Sequence, residues 1–532
     1  MDGEQFLEYL RGELIGRDRI LRTPFGDRLL HYFDWTASGR ALRCVEDYLR
    51  DVVLPDYANT HTEDDHTGRA TTLRLHQAER ILKDSVRAGD GYHIVHCGAG
   101  TTEAIHRLMQ ILGIYVPPGL RAAGGPFETR AVDAPVVFIG PYEHHSNVVP
   151  WREGLCRLVE VPMDRAGHID LEVLEQALAD PEWTGRRKIG CFSAASNVTG
   201  VRTDVRAVAG LLRRHGAVAC FDWAAAAPYE EMDVRGPDGE PELDAICFSP
   251  HKYLGGPGSS GVLIFHERIY RRDLPPTFGG GGTVTYVGPN DHDFLPGIEE
   301  REKPGTPGIL QALRAALAAQ IKDRVGTALI REIEDLHLRK VLGRWAADPR
   351  LELLGNPDPA RRIGIVSFNI RHGAHYLHPR FVTRLLSDLF GLQTRAGCSC
   401  AGPYGHRLLG IDEPTSERYR TAIRGGSEVV KPGWVRVNLH YLCNDDEIDY
   451  LLECIDLVAE EGSRFLSLYE CHVEDGVWAP CGWTDAEVRF GLDDLMAGAP
   501  AAERALDPAE RRRMRAESLR EARARAAGLP RR

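Results

Sequence analysis

The chain has 532 residues, more than the roughly 250–300 at which a single hydrophobic core stops growing, so two domains with appendages are expected. Hydrophobic residues at 43% and charged residues at 27% suit a folded chain and argue against disorder. The net charge of −12 excludes the basic footprint that draws nucleic acid. No apolar run approaches the ~20 residues that span a bilayer, and the opening MDGEQFLEYLRGE lacks a signal peptide's cationic and apolar regions. A cytoplasmic protein that binds neither nucleic acid nor membrane is therefore expected.

No repeat of fixed period is present, and strand-like and helical patterns alternate, which points to an α/β fold. In chain order these are a helix in TEAIHRLMQIL (102–112), a surface loop over 117–133, a strand in APVVFIG (134–140) and a helix in LEVLEQAL (171–178). A strand in RRKIGCFS (186–193), a helix over 204–216 closed by Gly216 as C-cap, and strands in AVACFDW (217–223) and DAICFSP (244–250) follow. Short apolar runs bounded by turn residues and separated by helices predict a mostly parallel sheet with covering helices. A long amphipathic stretch over 311–345 leads onward, with further strands in RIGIVSFNI and WVRVNLHYL and a helix in DDEIDYLLECIDLVAEE. The expected division is an N-terminal segment 1–30, a large domain 31–320, a smaller α+β domain 321–465 and an extension 466–532. From Ala501 that extension is rich in Arg, Ala and Glu and reads as a solvated helix or a disordered end.

Twelve cysteines are scattered. Cys191, Cys220 and Cys247 lie in strand runs as small buried hydrophobes, and no disulfide framework is expected.

Five elements carry candidate chemistry. Lys252 follows the strand of DAICFSPHK; partial desolvation there lowers the amine pKa and frees it to form a Schiff base, although most lysines are solvated surface charges. Thirty positions earlier, Asp222 ends AVACFD, where a buried carboxylate can pair with a pyridinium nitrogen. GAGTTEAI (98–105) opens a helix through Thr101 and Thr102 and offers N–H groups to a phosphate, or is a plain helix cap. His144, in EHHSN, can stack on a flat cofactor, while the pair His144–His145 also reads as a metal site or a satisfied loop. Asn197, in SNVTG, places an amide within reach of a ring hydroxyl or a bound substrate.

These elements, in this order and spacing, resemble class V aminotransferase-like enzymes and most closely cysteine desulfurases, over about residues 30–460. The resemblance implies the fold type I architecture of pyridoxal-phosphate enzymes, with a large domain built on a mostly parallel mixed sheet and a smaller α+β C-terminal domain. It implies pyridoxal 5'-phosphate on Lys252, Asp222 at the pyridine nitrogen, His144 on the ring, Asn197 near the ring hydroxyl, and Thr102, Ser249 and His251 on the phosphate. Thr306, in Gly305-Thr306-Pro307, resembles the residue that reaches the phosphate of a neighbouring subunit, which implies a homodimer.

Arg436, in GWVRVNLHYL, resembles the arginine that binds the substrate carboxylate, and Arg395, in QTRAGCSC, reads as a second anion contact. The loop RAGCSCAGP resembles one that carries a nucleophilic cysteine, placed here at Cys400. The resemblance thus implies a cysteine desulfurase, with L-cysteine as substrate, alanine and a Cys400 persulfide as products, and an acceptor protein or thiol as partner. The alternative is another class V activity, a transaminase, C–S lyase or epimerase, that does not use Cys400.

Three departures stand out. The resembling enzymes carry Gln or His where this chain has Ala225, the segment GTPN reads GTPG with Gly308, and Cys398 precedes Cys400 by two positions. Cys398 reads as a second thiol, a regulatory disulfide partner or a metal ligand. No companion ligand set accompanies it, so no metal is assigned. Two small loop cysteines without a catalytic part is the plainer alternative.

Overall fold

The computed structural model describes residues 2–122, 133–498 and 504–530. Packing divides the chain into two units that interleave in sequence: the first takes Met1–Glu13, Thr36–Glu332 and Arg361–Ile363, and the second takes Leu14–Trp35, Ile333–Ala360 and Gly364–Arg532.

The first unit is built on a seven-stranded sheet of β1 (Tyr92–Cys97), β2 (Val136–Ile139), β3 (Arg157–Glu160), β4 (Lys188–Ser193), β5 (Val218–Asp222), β6 (Ala245–Phe248) and β7 (Gly261–His266). Its order is β1-β7-β6-β5-β4-β2-β3. Only β7 runs against its neighbours, pairing antiparallel with both β1 and β6, while β3-β2-β4-β5-β6 is parallel throughout. Parallel strands need covered faces, and the sequence supplies them with continuous apolar runs: β2, β5 and β6 bury nearly every residue.

Helix α1 (Thr101–Ile111) follows β1 and buries Ala104, Ile105, Leu108 and Met109 against that sheet. Helix α2 (Val205–Arg214) begins at Asp204, whose carboxylate accepts the Ala207 N–H at 3.0 Å, and Gly216 ends the turn at φ +64°. Cys191, Cys220 and Cys247 are fully buried, and burial drives all three thiols well above their usual range. Among the described residues the cysteines are free thiols.

The second unit has an antiparallel sheet of β8 (Leu351–Leu353), β9 (Ile365–His372), β10 (Arg395–Gly397) and β11 (Trp434–Asn438), in the order β8-β9-β11-β10. Helices α5 (Pro379–Phe390) and α6 (Asp445–Glu461) supply Leu385, Leu386, Leu451 and Ile455 to its core, with Phe368, Val435 and Val437 from the strands.

Three local expectations are corrected. Part of the 117–133 loop is helical, at Pro118–Ala122, and 123–132 lie outside the described residues. The stretch 311–345 is two helices, α3 (Ile309–Val325) and α4 (Thr327–Trp345). They are separated by Gly326 at φ +89°, a conformation glycine adopts at no steric cost. Among the described residues of the C-terminal extension, the tail takes the helical of its two readings, but the helix is packed rather than solvated. The extension forms a hairpin of β12 (Tyr469–His472) with β13 (Val477–Pro480), and then α7 (Pro508–Ala527). Leu519, Ala522 and Ala526 of α7 join the second unit's core, Arg28 pairs with Glu521 at 2.9 Å, and Arg511 with Asp18 at 2.7 Å. Among the described residues no helix is long and apolar enough to cross a membrane.

Candidate active site

The parallel strands of the first unit end on one edge of the sheet, and the sequence candidates collect there. The chain runs from β2 outward to β3 and returns as β4 on the opposite side of β2. Such a reversal leaves a crevice at the carboxyl ends of the strands, where ligands of open α/β sheets bind. His144 follows β2, Asn197 follows β4, Asp222 is the last residue of β5, and Ser249, His251 and Lys252 follow β6. Thr101 opens α1 directly after β1.

Asp222 is 5% exposed, and its Oδ1 accepts the Ala224 N–H at 2.8 Å. Burial pushes its carboxyl pKa up; the Ala224 N–H and the positive charge of Lys252 pull it back without cancelling the rise. A partly stabilised carboxylate in a dry site suits a cationic ring nitrogen. Ala225 is also buried and presents only a methyl group.

A small cradle forms where α1 meets the turn after β6. The Thr101 N–H donates to Ser249 Oγ at 2.9 Å, and the two hydroxyls lie 2.7 Å apart. A Cβ added to Gly100 would sit 3.1 Å from Ser249 Oγ and 3.6 Å from His251 Nε2. The bare glycine thus keeps open a concavity faced by a helix N-terminus, a hydroxyl and an imidazole, a donor set that fits a phosphate. Burial, and then the charge of Lys252, push the His251 pKa down to about 4, so its ring is neutral near pH 7. A cavity of about 580 Å³ adjoins, lined in part by Ser38, Gly98, Ala99, His251 and Gln311.

The turn carrying Lys252 is held by close backbone contact. Gly39 N–H donates to the His251 carbonyl at 2.9 Å, and a Cβ on Gly39 would come within 1.9 Å of the Tyr253 carbonyl oxygen.

His144 is held in one tautomer. Its Nδ1 accepts the Ser146 N–H at 3.1 Å, so the neutral ring carries its proton on Nε2, and Ser146 Oγ reaches Thr102 Oγ1 at 2.7 Å. Behind it lies the buried Glu143. Oε1 accepts from Gly140 and Ser193 N–H at 3.1 and 2.9 Å, and Oε2 from Ser193 Oγ and Asn147 Nδ2 at 2.5 and 2.6 Å. Burial raises its pKa to about 7 despite these donors.

The remaining candidates are carried by other elements. Thr306 is exposed on the turn before α3. Arg436, Arg395 and Cys400 belong to the second unit. Arg436 on β11 is 4% exposed and directly opposes Arg395 of β10. Both guanidiniums reach one carboxylate, Asp34, whose Oδ1 accepts from Arg436 Nη2 at 3.1 Å and whose Oδ2 accepts from Arg395 Nη2 at 2.8 Å. Cys400 is exposed on the turn after β10. Ser399 at φ +50° and Cys400 at φ +54° are both left-handed, a strained conformation for residues with a Cβ that concentrates at functional sites. Among the described residues no group of three or more His, Cys, Asp or Glu is placed to hold a metal.

Sequence reasoning missed Asp34, Glu143 and Gly39. Glu143 stood in the same EHHSN segment as His144 and was legible as a polar residue directly after a buried strand; the other two had no local signal.

The chain resembles known proteins over most of its length. The family model described as aminotransferase class V matches residues 31–451. A probable cysteine desulfurase of Halalkalibacterium halodurans is 28% identical over 380 residues, covering 70% of this chain and 84% of that protein. One from Staphylococcus aureus is 27% identical over 395 residues, covering 74% and 88%. Among solved structures, a cysteine desulfurase from Thermococcus onnurineus superposes with a TM-score of 0.66 at 22% identity over 85% of this chain and 98% of that one. One from Escherichia coli does so with 0.62 at 20% identity, over 86% and 99%. At these identities the structural likeness speaks for the fold.

Proposed function

The chain belongs to the class V aminotransferase family, and from that premise we propose that it is a pyridoxal-phosphate-dependent cysteine desulfurase. The observation that carries the reading is the buried Asp222 within electrostatic reach of Lys252 at the carboxyl edge of the sheet, beside a phosphate-shaped cradle. The names of its relatives support the choice of substrate.

Thr101, Thr102, Ser249 and His251 would hold the phosphate, His144 the face of the ring, Asn197 the ring hydroxyl or the substrate, and Asp222 the ring nitrogen. When bound, pyridoxal phosphate supplies a sink for the electrons released at the substrate Cα. The neutral His251 would donate one hydrogen bond without titrating near pH 7, and Asp222 would face the ring nitrogen as its counter-charge. Lys252 would anchor the group, and its free Nζ would take the Cα proton. Arg436 binds the substrate carboxylate, with Arg395 as a second anion contact. The Cys400 thiolate would attack the substrate sulfur: an S–S bond forms as the Cβ–S bond breaks, the electron pair stays with Cβ, which takes a proton from solvent, and the Cα proton returns from Lys252, so that alanine leaves and a persulfide remains on Cys400. The persulfide passes to an acceptor protein or small thiol. Exposure of Cys400 on a strained turn supports that role.

A homodimer contacted through Thr306 and a cytoplasmic location complete the proposal. Ala225, which lacks the polar side chain of the resembling enzymes, favours a second reading in which a transaminase, C–S lyase or epimerase shares Lys252 and Asp222 without Cys400. Keto-acid dependence would mark the transaminase.

Borohydride reduction of the freshly purified protein followed by peptide mass spectrometry tests the cofactor assignment. A reduced pyridoxyl adduct on the peptide containing Lys252 is expected. An adduct on another lysine, or none, contradicts it.

A further inference from the structure

A single carboxylate joins the two arginines of the second unit. Asp34 is largely buried, with a side chain 13% exposed beside Arg436 at 4%. Leaving a buried guanidinium without a counter-charge is costly, and Arg436 Nη2 donates to Asp34 Oδ1 at 3.1 Å. Arg395 presents its fork to the same carboxylate: Nε reaches Oδ2 at 2.9 Å and Oδ1 at 3.1 Å, and Nη2 reaches Oδ2 at 2.8 Å. The two arginines stand directly opposite in the antiparallel ladder of β10 and β11, where like charges repel. Arg395 is also within electrostatic reach of Cys400, so the trio extends towards the cysteine loop.

We propose that Asp34 is a positioning residue that clamps Arg436 and Arg395 into one carboxylate-recognising pair. This rests on the reading of Arg436 as the substrate-carboxylate arginine. Asp34 makes no contact with substrate in this account; it fixes the edge of Arg436 that does, and it holds Arg395 beside the cysteine turn.

Two measurements on the full chain test it, comparing wild type with Asp34→Asn and Asp34→Glu. The first is the rate of phenylglyoxal labelling at Arg395, read by peptide mass spectrometry, with the buried Arg28 as internal control. Loss of the ion pair in Asp34→Asn raises Arg395 labelling about 5-fold while Arg28 is unchanged, since an exposed guanidinium is protected mainly by its partner; Asp34→Glu stays within about 2-fold of wild type. The second is the KM and kcat for alanine release from L-cysteine by the loaded enzyme. Asp34→Asn raises KM about 10-fold with kcat within about 3-fold, the pattern of lost ground-state binding, and Asp34→Glu recovers part of it.

Unchanged Arg395 labelling, or labelling that rises equally at Arg28, overturns the clamp. So does a KM that falls or stays constant in Asp34→Asn. If wild type releases no alanine from L-cysteine, the proposed function fails while the labelling result still decides whether Asp34 holds Arg395.

Discussion

Ser193 and Asp222 face each other across the parallel ladder of β4 and β5, so the strand end that presents Asp222 to the crevice is tied through Ser193 to the buried Glu143. Asp222 and Ser193 at two neighbouring strand ends and Glu143 in the segment after a third strand are all buried. Lys252, on the turn after the next strand, adds the positive charge that partly offsets the burial of Asp222.

Lys252→Ala should lower alanine release by at least about 10²-fold, the low end for a positioned acid–base group. Asp222→Asn, which cannot hold a ring proton electrostatically, should lower kcat more than it raises KM. Steady-state kinetics at saturating pyridoxal phosphate check both; a Lys252→Ala enzyme within a few-fold of wild type would remove the lysine from the mechanism.

Glu143 predicts a pH dependence of stability. Its folded pKa of about 7 lies above that of an unfolded glutamate, so its contribution is fully present below about pH 4.5 and is lost as pH rises through about 7. Urea unfolding across pH 5 to 8 should show this decline in wild type and a flatter profile in Glu143→Gln. The amide of the variant would face Asn147 Nδ2 or two N–H donors, an unsatisfied arrangement that costs about 1–3 kcal/mol at every pH. An identical pH slope in both proteins would rule Glu143 out as its source.

Gly39 tests how the lysine turn is held. In Gly39→Ala the new methyl must displace the Tyr253 carbonyl, with a strain cost of about 1–3 kcal/mol. The expected outcome is a folded protein by circular dichroism with at least about 10-fold weaker retention of pyridoxal phosphate on dialysis. Normal retention would show that the turn tolerates the shift.

The C-terminal helix is a structural part of the second unit. Truncation before Asp507 uncovers the core beneath Leu519, Ala522 and Ala526 and removes the Glu521 partner of the buried Arg28. Leu519 alone contributes about 1.5–3 kcal/mol by burial, so the truncated chain should melt several degrees lower. A melting temperature equal to that of the full chain would return α7 to the status of a solvated tail.

Much of the first unit was legible because each strand is a continuous apolar run closed by turn residues, and because the chemistry-bearing residues sit immediately after those runs. Lys252, Asp222, His144 and Asn197 share an edge for that reason. Asp34 was not legible: it stands 402 positions before Arg436, and only the folding of the segment around it beside β11 brings them together. The long pattern over 311–345 concealed a break because Gly326 interrupts two helices that each carry apolar residues at helical spacing. The packing of helix α7 was not legible because arginine and alanine dominate its composition, while the face that matters, Leu519, Ala522 and Ala526, is a narrow stripe at helical spacing.

The most direct test of the central claim is anaerobic incubation of purified protein with L-cysteine and dithiothreitol, counting alanine and sulfide for wild type, Cys400→Ser and Lys252→Ala. The account predicts equal amounts of alanine and sulfide from wild type and the loss of both in each variant. No turnover of cysteine, or a Cys400→Ser enzyme as active as wild type beside an inactive Lys252→Ala, would contradict the desulfurase and point to a class V reaction that needs the lysine but not the thiol.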